Sequence, residues 1–298
     1  MSDRIAIVGC GLIGGSLGLA LRASPDAPTV VGIDRAATLE TARTRGAIDE
    51  SQTLGPSLAG LVADCDTVIL AVPPGALDDA LASLGRDPAA RWQLVLDVAG
   101  VKGPVMQSAR THRVPAFIGG HPMAGSERSS IEAARKDLFE GRPFILCPGN
   151  DAHALPRAEA LVRAIGARPT TMKEEEHDAA VAWISHLPHL LAQSLVAHVH
   201  DPVRRDAPER AVALAAGSWR DVTRVAASSP ALWSDLFAAN ADALGGCLDA
   251  LIHSLSRARE RLRDPQTART PVEDPDTLAR LRAEATGVLP PVRPPTEG

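Results

Sequence analysis

His121 stands in the stretch GGHPMAGSER (residues 119–128), after two glycines and ahead of a proline, with a small-residue turn and a charged pair behind it. An imidazole titrates near neutral pH. Beside a hydroxyl whose carbon is losing hydride it can take the hydroxyl proton, a role that contributes about 10²–10⁴ in rate. A histidine that merely caps a loop would look the same at this position. Further along lie His186 and His189 within SHLPH, then Arg220, Asp221 and Arg224 within WRDVTR. The two histidines at i, i+3 could be zinc ligands, but no cysteine or carboxylate stands at metal spacing and Pro188 interrupts the helix between them. Arg220 and Arg224, four apart on a helix, could pair at the surface with Asp221 or Glu209, or one of them could grip an anion. Trp183, Trp219 and Trp233 read by default as core or interface residues.

A phosphate-binding pattern opens the chain. IAIVGCGLIGGSLGLAL places Gly9, Gly11 and Gly14 as GxGxxG between a strand and a helix. Gly9 permits the tight turn, Gly11 lets the backbone approach a pyrophosphate, and Gly14 lets helix and strand pack closely. Leu12 and Ile13 begin the helix, whose N-terminus faces the phosphates. Asp34 ends the next strand twenty residues after Gly14, where a carboxylate accepts hydrogen bonds from an adenosine ribose. That favours NAD, because a 2′-phosphate would be repelled, while Arg35 keeps NADP open. Val72 and Pro73, within AVPP at the end of the third expected strand, and Gly100, within DVAGVK after the fourth, are expected along the remainder of the dinucleotide.

These residues need a scaffold. Apolar runs bounded by Gly, Pro or Asp predict strands at 4–9, 29–34, 66–74, 93–100, 115–120 and 142–149, with helix-period stretches at 14–23, 36–46, 76–84 and 104–111. The alternation predicts an α/β fold with a mostly parallel sheet, a Rossmann-type dinucleotide-binding domain over 1–171. His121, following the strand at 115–120, then projects at the carboxyl edge. From 172 to 288 the apolar spacing is helical throughout, which predicts an all-helical substrate-binding and dimerisation domain, including a short helix at 274–286. Its long apolar helices suggest burial against a second copy of the chain. Residues 289–298, rich in proline, read as a disordered tail.

Composition narrows the partners. A formal net charge of −5 with scattered basic residues leaves no nucleic-acid footprint. Cys10, Cys65, Cys147 and Cys247 form no CxxC pair, which fits a reducing cytoplasm. No basic and apolar leader opens the chain and no run of 18 apolar residues occurs, so neither export nor a membrane location is expected.

Taken in order, GCGLIGGSLGLAL, HPMAGSE, SHLPH and WRDVTRVAASSPALWSDLFAAN resemble the prephenate/arogenate dehydrogenase family of tyrosine biosynthesis, over about residues 4–287. The resemblance implies oxidative decarboxylation of a cyclohexadiene: hydride leaves C4, the C4 hydroxyl yields its proton, and the ring carboxylate departs as carbon dioxide. It places the family's catalytic base on His121, its substrate-binding histidine on His189 and its carboxylate-binding arginine on Arg224. Ser126, Glu127, Gly217, Asp221 and Trp233 match positions that line or gate the substrate site. One departure stands out: many relatives carry serine after the fourth strand, where this chain has Gly100. Prephenate is the expected substrate, with arogenate or a 4-amino analogue of prephenate as alternatives. Two rival classes share the glycine motif. A β-hydroxyacid dehydrogenase wants a catalytic lysine early in the second domain, where only Lys173 is available, and a non-catalytic NAD-binding redox sensor wants a basic DNA-reading element, which is not visible.

Overall fold

The structure, a computed structural model, describes residues 4–24, 26–55, 57–87, 91–126, 130–149, 152–200, 212–264, 266–268 and 275–286. Glu127 and the expected tail at 289–298 lie outside the described residues. Among the described residues no helix is long and apolar enough to cross a membrane.

Eight strands form one sheet: β1 (Arg4–Val8), β2 (Thr29–Asp34), β3 (Glu50–Thr53), β4 (Thr67–Leu70), β5 (Leu94–Asp97), β6 (Phe117–Pro122), β7 (Pro143–Cys147) and β8 (Arg168–Thr171). Their order is 3-2-1-4-5-6-7-8. The first six strands run parallel, and β7 turns back antiparallel against β6 with β8 parallel to it. Six of the eight match the sequence expectation. The two it lacked, β3 (ESQT) and β8 (RPTT), are the sheet's edges, largely exposed and polar, so they carry no hydrophobic signature. The extra β3 makes the AVPP strand the fourth and the strand before Gly100 the fifth.

Side chains alternate through the sheet into two cores. Ile5, Ile7, Leu94 and Leu96 point to one face, beneath α1 (Leu12–Leu21), α2 (Ala36–Thr44) and α6 (Leu155–Ala164). Ala6, Val8 and Val95 point to the other, covered by α3 (Leu58–Leu61), α4 (Leu77–Gly85) and α5 (Gly103–His112). Strands covered on both faces read as continuous apolar runs, which is why β1, β2, β4 and β5 are plain in the sequence.

Strands end at Thr171, and the chain continues as α7 (Glu174–Val181), a π-helical turn (Ala182–His186), α8 (Leu187–His200), α9 (Gly217–Thr223), a 3-10 turn (Arg224–Ala227), α10 (Pro230–Ala239), α11 (Ala241–Arg263) and α12 (Pro275–Thr286). The helix is not interrupted at Pro188. Its missing N–H is accommodated by the wider π turn immediately before it, and the chain stays helical through it. By contacts the compact units are Met1–Leu244 and Gly245–Gly298, so the first unit carries α7 through α10 together with the sheet. Within that first unit the Arg110 guanidinium on α5 meets Glu174 on α7 at 2.7 Å, and Leu236 of α10 packs with Trp233 against Val101.

Candidate active site

The parallel strands deliver the glycine turn, Val72, Gly100 and His121 to one sheet edge, each just beyond or at the carboxyl end of its strand. Gly9 adopts φ +91°, and its N–H donates to the Ile33 carbonyl at 2.9 Å. A Cβ on Gly14 would fall 1.9 Å from the Gly9 carbonyl oxygen, so only glycine lets α1 start this close to β1. Gly11 is the N-cap of α1 and no side chain caps the helix, which leaves the N–H groups of its first turn, through Leu12 and Ile13, for a ligand. Asp34 accepts the Cys10 N–H at 2.7 Å and the Arg35 N–H at 2.6 Å, and each carboxylate oxygen keeps further acceptor capacity. The Arg35 side chain is almost fully exposed. Half-buried Val72 and exposed Pro73 follow β4. A Gly-rich turn at a helix N-terminus with a carboxylate at the end of the neighbouring strand fits a dinucleotide. Burial, together with Asp34, pushes the Cys10 thiol up to about 12, so this cysteine in the turn is inert.

His121 lies within β6 rather than after it, because pairing with β7 extends the strand to Pro122, with His121 opposite Ile145. It still reaches the carboxyl edge, since β6 pairs with β5 only through Phe117 and Ile118 and then peels away. A buried ion pair fills the gap. Asp97 accepts the Gly120 N–H at 3.0 Å and the Ala99 N–H at 2.8 Å, and Lys102, with no exposed side-chain surface, donates Nζ–H to Asp97 and to the Gly120 carbonyl. Gly120 is required here: a Cβ would sit 2.4 Å from the Asp97 carbonyl oxygen. Removing one partner of such a pair costs about 3–5 kcal/mol, because the other charge is stranded in the interior.

Around His121 the structure gathers groups that, His186 apart, the sequence did not single out. Its Nδ1 lies 2.8 Å from Nε2 of buried His177, whose Nδ1 lies 2.7 Å from Asp178 Oδ1. Asp178 also accepts the N–H groups of Lys102 and Gly103, each at 2.7 Å. Asn240 donates to the Asp178 carbonyl at 2.9 Å and to Nδ1 of buried His186 at 3.1 Å. Burial holds the His121 imidazole well below its usual range, and neighbouring His177, Lys102 and His186 push the same way, so the ring is unprotonated at neutral pH and free to accept a proton. Nε2 faces Gly100, where a Cβ would stand 3.8 Å away and 3.2 Å from Leu236 Cδ2. The one sequence signal for this cluster was faint: His177 occupies the buried face of α7 with Val181, four residues on, where an apolar residue is the norm.

A second group adjoins it. His189 on α8 stacks on buried Trp233, with ring centroids 3.5 Å apart, and donates Nδ1–H to the Ser185 carbonyl at 3.0 Å. His186 meets the same indole edge-on at 6.0 Å. Burial lowers the pKa of His189, and the nearby Arg224 guanidinium lowers it further. Arg224 is exposed, on the 3-10 turn packed against α8. Hydrogen bonds thus run from His121 through His177 to Asp178 and from the Asp178 carbonyl through Asn240 to His186, ring contacts continue to Trp233 and His189, and His189 feels the charge of Arg224. Asp221, Gly217 and Ser126 are exposed. Lys173, the lysine a β-hydroxyacid dehydrogenase would need, is exposed at the start of α7.

The fold and this edge define a dinucleotide-binding α/β protein with a neutral histidine at the same sheet edge as the glycine turn. Residues 17–171 match the family described as prephenate dehydrogenase, nucleotide-binding domain, and residues 173–274 match prephenate dehydrogenase, dimerization domain. The chain is 35% identical over 271 residues to a prephenate dehydrogenase of Bacillus subtilis, covering 87% of this chain and 70% of that protein. It is 34% identical over 264 residues to a cyclohexadienyl dehydrogenase of Zymomonas mobilis, covering 86% and 87%. Among solved structures it resembles a prephenate dehydrogenase of A. aeolicus in complex with hydroxyphenyl propionate and NAD+, with a TM-score of 0.81, 27% identity and coverage of 97% and 99%. The chain belongs to the prephenate dehydrogenase family.

Proposed function

We propose that the chain catalyses NAD-dependent oxidative decarboxylation of prephenate to 4-hydroxyphenylpyruvate, as a homodimer. The observation that carries this reading is His121: a neutral imidazole at the carboxyl edge of the sheet, its Nδ1 engaged and its Nε2 facing the space beside Gly100. Bound NAD supplies the acceptor for the hydride that leaves C4 of the ring. His121 Nε2 takes the proton of the C4 hydroxyl as the C4–O bond becomes a carbonyl. Cleavage of the bond to the ring carboxylate releases carbon dioxide, and its electron pair completes the aromatic ring. The 4-oxygen then takes the proton back from His121 as a phenol. Gly100 has no hydroxyl to share in this transfer, so His121 acts directly or through water.

Prephenate carries two carboxylates, and Arg224 with His189 forms the cationic and hydrogen-bonding side suited to one of them. A charge-assisted hydrogen bond of this kind is worth about 1.5–3 kcal/mol. Trp233 holds the His189 ring by stacking. On the cofactor side, Asp34 accepts from the ribose and so favours NAD over NADP. Trp183 (49% exposed), Ile184 (66%) and Leu214 (81%) leave apolar surface on the helical region, which supports dimerisation there.

Initial rates of reduced-cofactor formation at 340 nm, with prephenate, arogenate and the 4-amino analogue each paired with NAD and with NADP, test the reading. Prephenate with NAD is expected to be fastest. Faster turnover of another ring replaces the substrate and keeps the base, whereas silence in every pairing, with NAD binding shown separately, overturns the proposal.

A further inference from the structure

His177 and Asp178 contact neither of the groups assigned to substrate above, yet His177 is hydrogen-bonded at both ring nitrogens and Asp178 at both carboxylate oxygens. Their side chains are 1% and 13% exposed. An ionised carboxylate only accepts hydrogen bonds. The Asp178 carboxylate is disfavoured by burial, but His177 and the N–H groups of Lys102 and Gly103 outweigh that and hold it below the usual carboxylate range. The proton between Asp178 Oδ1 and His177 Nδ1 therefore belongs to the imidazole, and a His177 ring that carries that single proton presents a bare Nε2 to His121. That 2.8 Å contact needs one proton, which comes from His121 Nδ1. The order Asp178, His177, His121 thus leaves Nε2 of His121 without a proton, on the side of Gly100.

We propose that Asp178 and His177 are positioning residues that fix the tautomer of His121 and stabilise its imidazolium. The proposal rests on the reading of His121 as the base. When Nε2 takes the substrate proton, the new positive charge lies against Lys102 and His186, which oppose it, and is offset through His177 by Asp178; Asp97 is already paired with Lys102. No proton needs to leave His121 Nδ1 for this to operate. The same geometry also serves a structural end, since Asp178 satisfies two N–H groups at the start of α5, so activity loss alone would not separate the two roles.

The test compares the pH profile of kcat/KM, the NAD Kd and the thermal midpoint in the unmodified enzyme and in His121→Asn, His177→Leu, His177→Gln and Asp178→Asn. His177→Leu and Asp178→Asn are expected to lower kcat roughly 10²-fold, with NAD Kd unchanged. In Asp178→Asn the acid limb is expected to move to lower pH, because the imidazolium loses its counter-charge. His177→Gln can still accept from His121 Nδ1 through its amide oxygen and is expected to recover most of the loss. His177→Leu and His177→Gln leave the Asp178 contacts to α5 in place, so they decide the matter if Asp178→Asn does not fold. In the unmodified enzyme, nitrogen-15 spectra of labelled histidine, assigned through His121→Asn, are expected to show His121 protonated at Nδ1. A proton at Nε2 overturns the proposal, as does an acid limb that stays put while kcat falls only in step with thermal stability. If His121→Asn keeps full turnover, the reading of the base fails first. If that variant is dead while both His177→Leu and Asp178→Asn match the unmodified enzyme, only the relay fails.

Discussion

At the ends of β1 and β2 the cofactor edge is made almost wholly of backbone drawn from residues 9–35, with one carboxylate. Around His121 the site is made of side chains from β5, β6, α7, the residue that precedes α5 and the residue that follows α10, separated by up to 143 residues between Asp97 and Asn240. The first arrangement tolerates no added atom, because Gly14 is packed against the Gly9 carbonyl. The second tolerates no change of charge or proton, because each buried polar group there has another as its partner. Shape therefore governs one side of the site and proton order the other, and substitutions should sort accordingly.

The largest effect is expected where proton order meets the reaction. His121→Asn should reduce kcat by about 10²–10⁴ while leaving the NAD Kd, measured by calorimetry, within a few-fold; equal losses in both would erase the distinction between the two regions. Arg224→Ala comes next. It should raise the KM for prephenate by roughly ten- to a hundredfold, in line with about 1.5–3 kcal/mol of charge-assisted binding, with kcat little altered. On the backbone side, Gly14→Ala should cost about 1–3 kcal/mol of stability and weaken NAD binding, read by thermal melting with and without cofactor. Asp34→Ala should weaken NAD several-fold relative to NADP, a change of about 1 kcal/mol, as one hydrogen-bond acceptor is lost.

The smallest effect is a pH dependence of stability. Burial lowers the pKa of His121, His186 and His189 in the folded protein. Below the ordinary histidine value of about 6.5 the unfolded chain binds more protons than the folded one. Stability contributed by these neutral rings is thus complete above that value and is lost as pH falls from it toward the lowered folded values. The thermal midpoint should drop between pH 7.5 and 5.5, and His121→Asn should flatten that drop.

Much of the fold was legible because it is encoded locally. The glycine spacing, the apolar runs of strands buried on both faces and the helical period after residue 172 each sit within a short window. His121, His189 and Arg224 stood out as candidates through the resemblance of their motifs. The edge strands β3 and β8 were not, since polar edge strands lack that pattern. Nor was the extension of β6 through His121, which depends on an antiparallel partner 24 residues further on.

Local patterning was enough to set where the chain turns, which faces are apolar and where a dinucleotide can lie, because those depend on neighbours within one or two turns of chain. Long-range packing alone decided that His177 and Asp178 of α7 stand behind His121, that Lys102 and Asp97 are buried together where β6 leaves β5, and that a π turn carries the helix through Pro188. Such contacts join groups whose spacing in the chain carries no period, so their worth as proton partners exists only once burial has removed the competing water.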